Sequence, residues 1–528
     1  MLASKEQLPQ TKNARSQLRL QSLDQRVPAR ATLIRTPWRL LVLLSALVLA
    51  IAGYHPWSND AGVYLAGVLH RLDPQIYNAG LPAADLPFVA AHSALSAFAP
   101  AIVLLLRVSP LSLALSLFLV YLVSVFFYLY AGWQLACRLF NDSAARLGAL
   151  WMAAVLYSLP VAGTALSIMD PYLTARSFST PLALLAVAAT LDRRYLRTAL
   201  WIALAAMLHP LMAAYAFGFV VMLAAFHERR PRLAISLCLL SAVLAGLILR
   251  HAHFLPTPVG YRVALWLPAH SYLFLSRWRW YEICGAVIPL LLPLLAARKL
   301  GWQSPVGRLS LAILISGGMG LVLTAFFVPY SGPYPLVRFQ FLRIDHIIYA
   351  VGVLLLGAYV AYLGRSTYQW KRAIPVVCLL GAGLGMATTA RINYPECRSI
   401  EWPGLAPTNP WSQAFTWIRL HTPRDARFAF APPTFYAPDE DEQSFRVIAQ
   451  RSQLAGDKDS GLVVVLPRLA PVWLAEREAT LGLNTESDAE RIAHLAPWRA
   501  SWILLPPASA TSFTCPYQNR AIKVCKLP

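Results

Sequence analysis

Charge is the scarce component of this 528-residue sequence. Asp, Glu, Lys and Arg together make up only 13% of it, about half of what a water-facing surface carries. Three or four soluble domains, the ordinary reading of this length, are thereby excluded. Acidic residues are scarcer still, 25 against 46 basic ones. No Cys/His spacing points to zinc, and there is neither a nucleotide P-loop nor a G-x-S-x-G nucleophile turn. No internal repeat stands out, which weighs against the repeat-built transporter folds. What is abundant is apolar: 57% of residues are hydrophobic, with 16 Trp, 22 Tyr and 22 Phe. That much apolar surface excludes a disordered chain. The sequence reads as an α-helical polytopic membrane protein.

The net charge of +21 looks at first like a nucleic-acid footprint. Residues 1–390 hold 31 Lys/Arg against 11 Asp/Glu, whereas residues 391–528 hold 15 against 14. The excess is interleaved with apolar runs, as the positive-inside rule produces, and no nucleic-acid partner is expected.

Residues 1–38 are polar and basic, with Lys5, Lys12, Arg15, Arg19, Arg26, Arg30 and Arg35 opposed by Glu6 and Asp24. They read as a cytoplasmic tail before a first span at Leu40 to Ala52; a cleaved signal would have a shorter basic region and small residues after it, not Gly53-Tyr54-His55-Pro56. Further apolar runs lie near 111–136, 147–166, 178–191, 198–226, 233–249, 283–297, 309–328, 346–363 and 373–390. The run 198–226 is too long for one crossing, is interrupted at His209-Pro210, and is flanked by Arg193/Arg194/Arg197 and Arg229/Arg230/Arg232. A hairpin bent at His209-Pro210 puts both clusters on one side. Arg138, Arg146, Arg298/Lys299/Arg308 and Arg365/Lys371/Arg372 then fall on that side too. The expectation is about eleven spans in a cytoplasmic (inner) membrane, N-terminus inside and C-terminus outside; making 88–106 a further span would flip most clusters outward.

The chain thus divides into three parts: the tail 1–38, a transmembrane domain 39–390 with large outer loops at about 54–110 and 250–282, and a small extracytoplasmic α/β domain, 391–528. In the last, Trp411 to Leu420 reads as a helix, and Arg427-Phe-Ala-Phe-Ala431, Leu462-Val-Val-Val-Leu466, Ser501 to Leu505 and Ala521 to Val524 read as strands, with helices near 470–482 and 487–496. Cys137, Cys238, Cys284 and Cys378 belong to spans. Of the outer three, Cys515 and Cys525 are the best-placed disulfide pair, with Cys397 left over or as an alternative partner.

Charges near spans are costly, so each is a candidate with a plain competitor. Asp60, just beyond the first span, is either a catalytic carboxylate or a helix N-cap. Asp170 and Arg176, in Ser167-Ile-Met-Asp-Pro-Tyr-Leu-Thr-Ala-Arg-Ser-Phe178, either form a pair that fixes the loop or bind substrate. Arg338 and Arg343, leading into the tenth span, join Arg262, His270, Arg277 and Arg279 as candidates for a cationic pocket that holds phosphate. Their competitor is headgroup anchoring, which Arg277-Trp-Arg-Trp-Tyr281 resembles. Gly381-Ala-Gly-Leu-Gly385 is read as close helix packing, Asp439-Glu-Asp-Glu442 as a solvated turn, and His251 and His253 alone make no metal site.

The arrangement resembles the family C (GT-C) membrane glycosyltransferases: one span, a large first outer loop with an acidic residue just after the membrane, a short second loop with another Asp, then a basic loop and a Pro-bent helix pair. Asp60, Asp170 and the Arg193-to-Pro210 region occupy those places. Trp417-Ile-Arg-Leu-His-Thr-Pro-Arg-Asp-Ala-Arg-Phe428, Pro432-Pro433 and Phe445-Arg-Val-Ile-Ala-Gln-Arg451 also resemble the C-terminal pattern of an uncharacterised bacterial multi-pass family. Where many GT-C members carry two adjacent carboxylates, this chain has Asn59-Asp60. The resemblance implies sugar transfer from a polyprenyl-phosphate carrier in the membrane to an acceptor at the outer face, with Asp60 as general base, Asp170 beside it, and Arg176, Arg262, His270, Arg338 and Arg343 binding the phosphate. No cofactor is expected, and no ligand spacing supports a divalent metal. The alternative is a lipid or solute transporter, or an assembly protein, using the same cationic pocket.

Overall fold

The structure is a computed structural model that describes residues 36–77, 85–94, 96–252, 258–328, 336–365, 368–432 and 442–528. Most of the basic tail, His253, Pro433 and Asp439, Glu440 and Asp441 lie outside the described residues, as does the side chain of His251.

Every expected apolar run forms a helix, but not every helix is a full crossing. Among the described residues seven helices are long and apolar enough to cross a membrane: Leu113–Leu139, Pro210–His227, Arg232–Arg250, Trp280–Leu300, Pro305–Phe327, Val337–Leu363 and Gln369–Asn393. Four of the expected spans are shorter helices, Trp38–Ala52, Ser143–Val155, Arg176–Leu191 and Tyr195–Leu208. The run 147–166 falls short because its helix stops at Val155 and the chain turns back on itself through a Pro160–Ser167 bridge. Residues 88–106 do not form one span; they divide into Leu86–Ala94 and Phe98–Val108. In the 198–226 run, His209 ends one helix and its Nδ1 accepts from Met212 N to begin the next.

In chain order, α1 is Trp38–Ala52, α2 Asp60–Leu72, α3 Leu86–Ala94, α4 Phe98–Val108, α5 Leu113–Leu139, α6 Ser143–Val155, α7 Arg176–Leu191, α8 Tyr195–Leu208, α9 Pro210–His227, α10 Pro231–Ala252, α11 Val259–Trp266, α12 Trp280–Leu300, α13 Pro305–Val322, α14 Ile344–Leu363 and α15 Ile374–Asn393. One apolar core joins α1, α5, α6, α7, α9, α13 and α14. At its centre α6 and α14 cross closely: a Cβ on Gly148 would sit 2.5 Å from Gly357 O, and one on Gly357 2.3 Å from Gly148 O. Small residues at a crossing let two backbones touch where lipid offers no hydrophobic drive for association. The glycines of 381–385 do not repeat this: Gly381 and Gly385 face open space, and only Gly383 approaches neighbours, Ile51 at 3.6 Å and Val155 at 3.7 Å, at ordinary contact distance. Along α10, Leu239, Leu240, Val243 and Leu247 are all exposed. So continuous an apolar face calls for lipid around it.

The basic clusters expected on one side of the membrane converge at one end of the bundle. Arg138 pairs with Asp192 at 2.7 Å, Arg193 with Glu228 at 3.4 Å, and Arg365 with Asp142, while Arg308 lies 3.0 Å from His227 Nδ1. These contacts tie together the ends of α5, α7, α9 and α14 and the starts of α6 and α13.

The C-terminal part is a five-stranded sheet of order β2-β1-β3-β5-β4, with β1 Arg427–Ala429, β2 Ser452–Gln453, β3 Trp502–Leu505, β4 Thr514–Gln518 and β5 Lys523–Lys526. β1 runs parallel to β2 and β3, and β5 antiparallel to β3 and β4. A disulfide joins Cys515 of β4 to Cys525 of β5, as expected. Helix α16 (Pro410–His421) packs under the sheet, and α17 (Glu442–Ala449) carries Val447 into the core shared by α2, α3 and α4. Leu462 to Leu466 is not a strand. It belongs to a helix, α18, Ser460–Val465, whose Leu462, Val463 and Val464 pack on Tyr261, Ala264 and Leu265 of α11 rather than in the sheet. β-branched residues favour strands only weakly, and packing overrides them here.

The joint between this domain and the loops is locked by buried charge. Arg446 forks onto Asp459 at 2.7 and 2.9 Å and stands 3.6 Å from Asp85 of the first long loop; all three are nearly inaccessible. Asp85 also accepts from Gln453 N at 2.8 Å, and Tyr77 donates to Arg446 O at 2.7 Å. Removing one partner of such a cluster leaves uncompensated buried charge, which costs about 3–5 kcal/mol. Arg446→Ala should therefore loosen the C-terminal domain from the loops, read as faster proteolytic release of that domain from detergent-purified protein. Arg424→Ala, at the exposed 3.3 Å contact with Asp73, should leave the release rate unchanged.

Candidate functional site

Asp60 is the first residue of α2, where the helix dipole favours a carboxylate. It is not the N-cap. Asn59 holds that position, with φ 48° and ψ −124° and no capping bond from its side chain, which instead accepts from Lys458 Nζ. Asp170 lies in the loop before α7, and Arg176 is the first residue of α7. The guanidinium reaches both acids: Arg176 Nη2 is 2.9 Å from Asp60 Oδ2 and 2.8 Å from Asp170 Oδ2, and Nε is 3.2 Å from the latter. Thr174 Oγ1 donates to the same Asp170 oxygen at 3.3 Å.

The two acids differ in access. Asp170 is 5% exposed and sits behind Arg176, while the Asp60 side chain is 31% exposed. Burial pushes the Asp170 carboxyl up, against the pull of Arg176. Burial also presses on Asp60, yet Arg176, Lys458 and Arg343 outweigh it and hold its carboxyl well below the usual carboxylate range. Lys458 Nζ stands 3.5 Å from Asp60 Oδ1. It comes from Gly456-Asp-Lys-Asp-Ser-Gly461, the turn before α18, and nothing local in that polar stretch ties it to a residue some four hundred positions earlier.

Arg343 is half-buried in the turn before α14, hydrogen-bonded to the Gln340 side chain and to the Tyr272 phenol. Counting formal charges, the cluster sets Arg176, Arg343 and Lys458 against Asp60 and Asp170.

The other expected ligands are elsewhere. His270 is 4% exposed, with Nδ1 at 2.6 Å from Ala264 O and Nε2 at 3.4 Å from Ser460 Oγ. Burial lowers its pKa, and with both ring nitrogens turned to protein groups it props the Lys458 turn and does not face a ligand. Arg262 and Arg338 are exposed and make no hydrogen bond or ion pair with Asp60, Asp170 or Arg176 among the described residues. Arg277 lies 5.7 Å from the Trp266 ring centre and Arg279 5.9 Å from that of Tyr281, the amphipathic pairing expected of headgroup anchors.

A groove of about 320 Å³ opens beside the cluster, between α9, α10 and α13. Its walls are mostly apolar, Leu211, Leu244, Ile248 and Met319 among them, and Phe339, Phe341 and Ile344 also line it. Tyr215 is shared with a small recess lined by Ser179, Thr180, Arg343 and His346. The hydroxyls of Ser179 and Thr180 are buried and find no partner among the described residues. Apolar groove, polar recess and charged cluster are thus adjacent.

The arrangement separates structural from chemical weight. Asp170→Ala should destabilise the protein by about 3–5 kcal/mol, because it strips a buried guanidinium of its main partner. Asp60→Ala should cost about 1 kcal/mol or less, since Arg176 stays paired. Thermal unfolding in detergent separates the two. Asp60 is lowered in the folded state, so its contribution is full above about pH 4 and is lost as the pH falls below that; Asp60→Asn should flatten that acid limb.

No protein-family model matches the chain, and no curated protein matches it in sequence.

Proposed function

We propose that this protein is a GT-C-like membrane glycosyltransferase that moves a sugar from a polyprenyl-phosphate donor to an acceptor at the outer face of a bacterial inner membrane, with the C-terminal domain outside. The observation that carries this reading is the position of Asp60: an ionised, partly accessible carboxylate held among three cations, beside an apolar groove. A lipid-phosphate donor needs an apolar path for its chain and a positive end for its phosphate. Phe339, Phe341 and Ile344, which line the groove, flank Arg343 in sequence, and Arg343 acts together with Arg176 and Lys458 on Asp60.

In this reading Arg343 and Lys458 bind the donor phosphate and stabilise it as it leaves. The sugar's anomeric carbon to phosphate-oxygen bond breaks as the acceptor oxygen forms its bond to the same carbon. Asp60 accepts the acceptor's hydroxyl proton, which requires contact within about 3 Å. Its lowered pKa makes it a weak base, suited to taking the proton late, once the oxygen has begun to bond. Asp170 touches neither substrate; it is a positioning residue that sets the Arg176 guanidinium.

Asp60→Asn should abolish transfer while the protein accumulates to wild-type level, measured on the cell's glycans or lipid-linked sugars by mass spectrometry. Arg343→Ala should raise KM for the lipid donor about tenfold or more, as loss of a charged contact does. Lipid extracted from the purified protein should contain a polyprenyl phosphate; only ordinary phospholipid there would favour the transporter alternative. A C-terminal alkaline phosphatase fusion should be active, and a cytoplasmic-only fluorescent reporter at the same place dark.

A further inference from the structure

The chain leaves α1 through Gly53-Tyr54-His55, and this short segment meets the stretch that follows α15. Tyr54 pairs in parallel with Ile400, Tyr54 N donates to Ser399 O at 2.9 Å, and Glu401 N returns to Tyr54 O at 3.0 Å. The pairing draws His55, Cys397 and Glu401 together. One donor atom from each lies within 4.8 Å of the others.

Several features of the cluster are those of a ligand set. His55 is 1% exposed, and its Nδ1 faces Glu401 Oε2 at 3.4 Å yet makes no hydrogen bond among the described residues. A buried ring nitrogen without a hydrogen bond is uncommon and calls for an explanation. The ring is fixed by stacking on Tyr394, with centroids 3.7 Å apart, and by His55 N donating to Pro171 O at 2.9 Å. Gly53, at φ +78°, leaves it room: a Cβ there would lie 2.9 Å from His55 Nε2 and 2.3 Å from Ser399 O. Cys397 is 5% exposed and keeps its thiol while Cys515 and Cys525 are joined. Asn409 aims an amide N–H at its sulfur from 3.8 Å. The other end of that amide, Oδ1, caps α16 by accepting from Trp411 N at 2.8 Å, which settles which way the group points. Such a donor behind a sulfur favours the thiolate and orients it, as supporting contacts do around metal ligands.

We propose that His55, Cys397 and Glu401 bind a divalent transition metal ion, zinc first among them. Bonds of about 2.0–2.3 Å in tetrahedral geometry place ligand atoms roughly 3.3–3.8 Å apart. The His55–Glu401 pair already meets this spacing, and the wider pairs need to close by about 1 Å. One nitrogen, one thiolate and one carboxylate suit zinc, while calcium and magnesium want oxygen alone. Binding replaces the thiol proton with the metal–sulfur bond and releases that proton to solvent. The fourth position is left to water on the side where Glu401 is 19% exposed. The ion would clamp the exit of α1 to the root of the C-terminal domain, five residues before Asp60 and one peptide from Asp170. The assignment stands whether or not the protein transfers sugar.

The test is metal content and spectroscopy on the full chain in detergent. After stripping with a chelator and reloading with zinc chloride, wild type should hold one ion per chain by mass spectrometry and gain thermal stability. Cobalt chloride should give a near-ultraviolet thiolate-to-cobalt absorption. Cys397→Ser, nearly the same in size, should abolish that absorption and weaken zinc binding about tenfold or more, while keeping the wild-type elution volume and the Cys515–Cys525 disulfide. Glu401→Gln should weaken zinc but retain the cobalt–thiolate band, and serves if Cys397→Ser folds poorly. Wild type that holds no stoichiometric ion and shows no band overturns the site, as does a Cys397→Ser variant that binds zinc as wild type does.

Discussion

The arrangement of the charged site hangs on one guanidinium. Arg176 begins a buried helix and is itself buried, so it must be neutralised, and the two carboxylates that neutralise it come from different loops. Asp170 is close in sequence and inaccessible; Asp60 comes from 116 positions earlier, and its other oxygen faces Lys458. Because an unpaired buried charge costs several kcal/mol, Asp170 is not at liberty to move away. Asp60 adds a second contact to a guanidinium that is already paired, and so can give it up to a substrate at little cost.

The C-terminal domain is joined by the same kind of physics. Arg446, Asp459 and Asp85 form a second buried charge cluster, and next to it the turn 456–461 presents Lys458 to Asp60 and Asn59. The domain is therefore part of the wall around the accessible acid, and apolar packing of Val463 and Trp473 on α11 brings the second long loop into the same wall. Membrane helices supply a groove, loops supply two acids and two arginines, and the soluble domain supplies the third cation.

The bilayer made much of the fold legible. Apolar runs must reach a minimum length, and orientation leaves its record in arginine, so the helices, the His209-Pro210 break and the clustering of basic ends could all be read. Asp60, Asp170 and Arg176 stood out because charge near a span demands a reason. What escaped was set by long-range packing. Leu462 to Leu466 look like a strand until α11 claims the side chains of Leu462, Val463 and Val464, and His270 looks like a cation until burial makes it a prop. Lys458 has no local signature at all. His55 and Cys397 share no motif spacing, since a parallel bridge between the two ends of the membrane domain is what makes them neighbours.

The position of Lys458 late in the chain also has a temporal side. A polypeptide enters the membrane from its N-terminus, so Asp60, Asp170 and Arg176 are in place while the whole C-terminal domain, 391–528, is still to be made. Until β1 and α17 fold and carry the 456–461 turn to the loops, Asn59 lacks the contact that accompanies its unusual backbone, and Asp60 has only the two arginines beside it. An ammonium reaches Asp60 only from a chain made past that turn, so the carboxylate with access is the last part of the site to be completed.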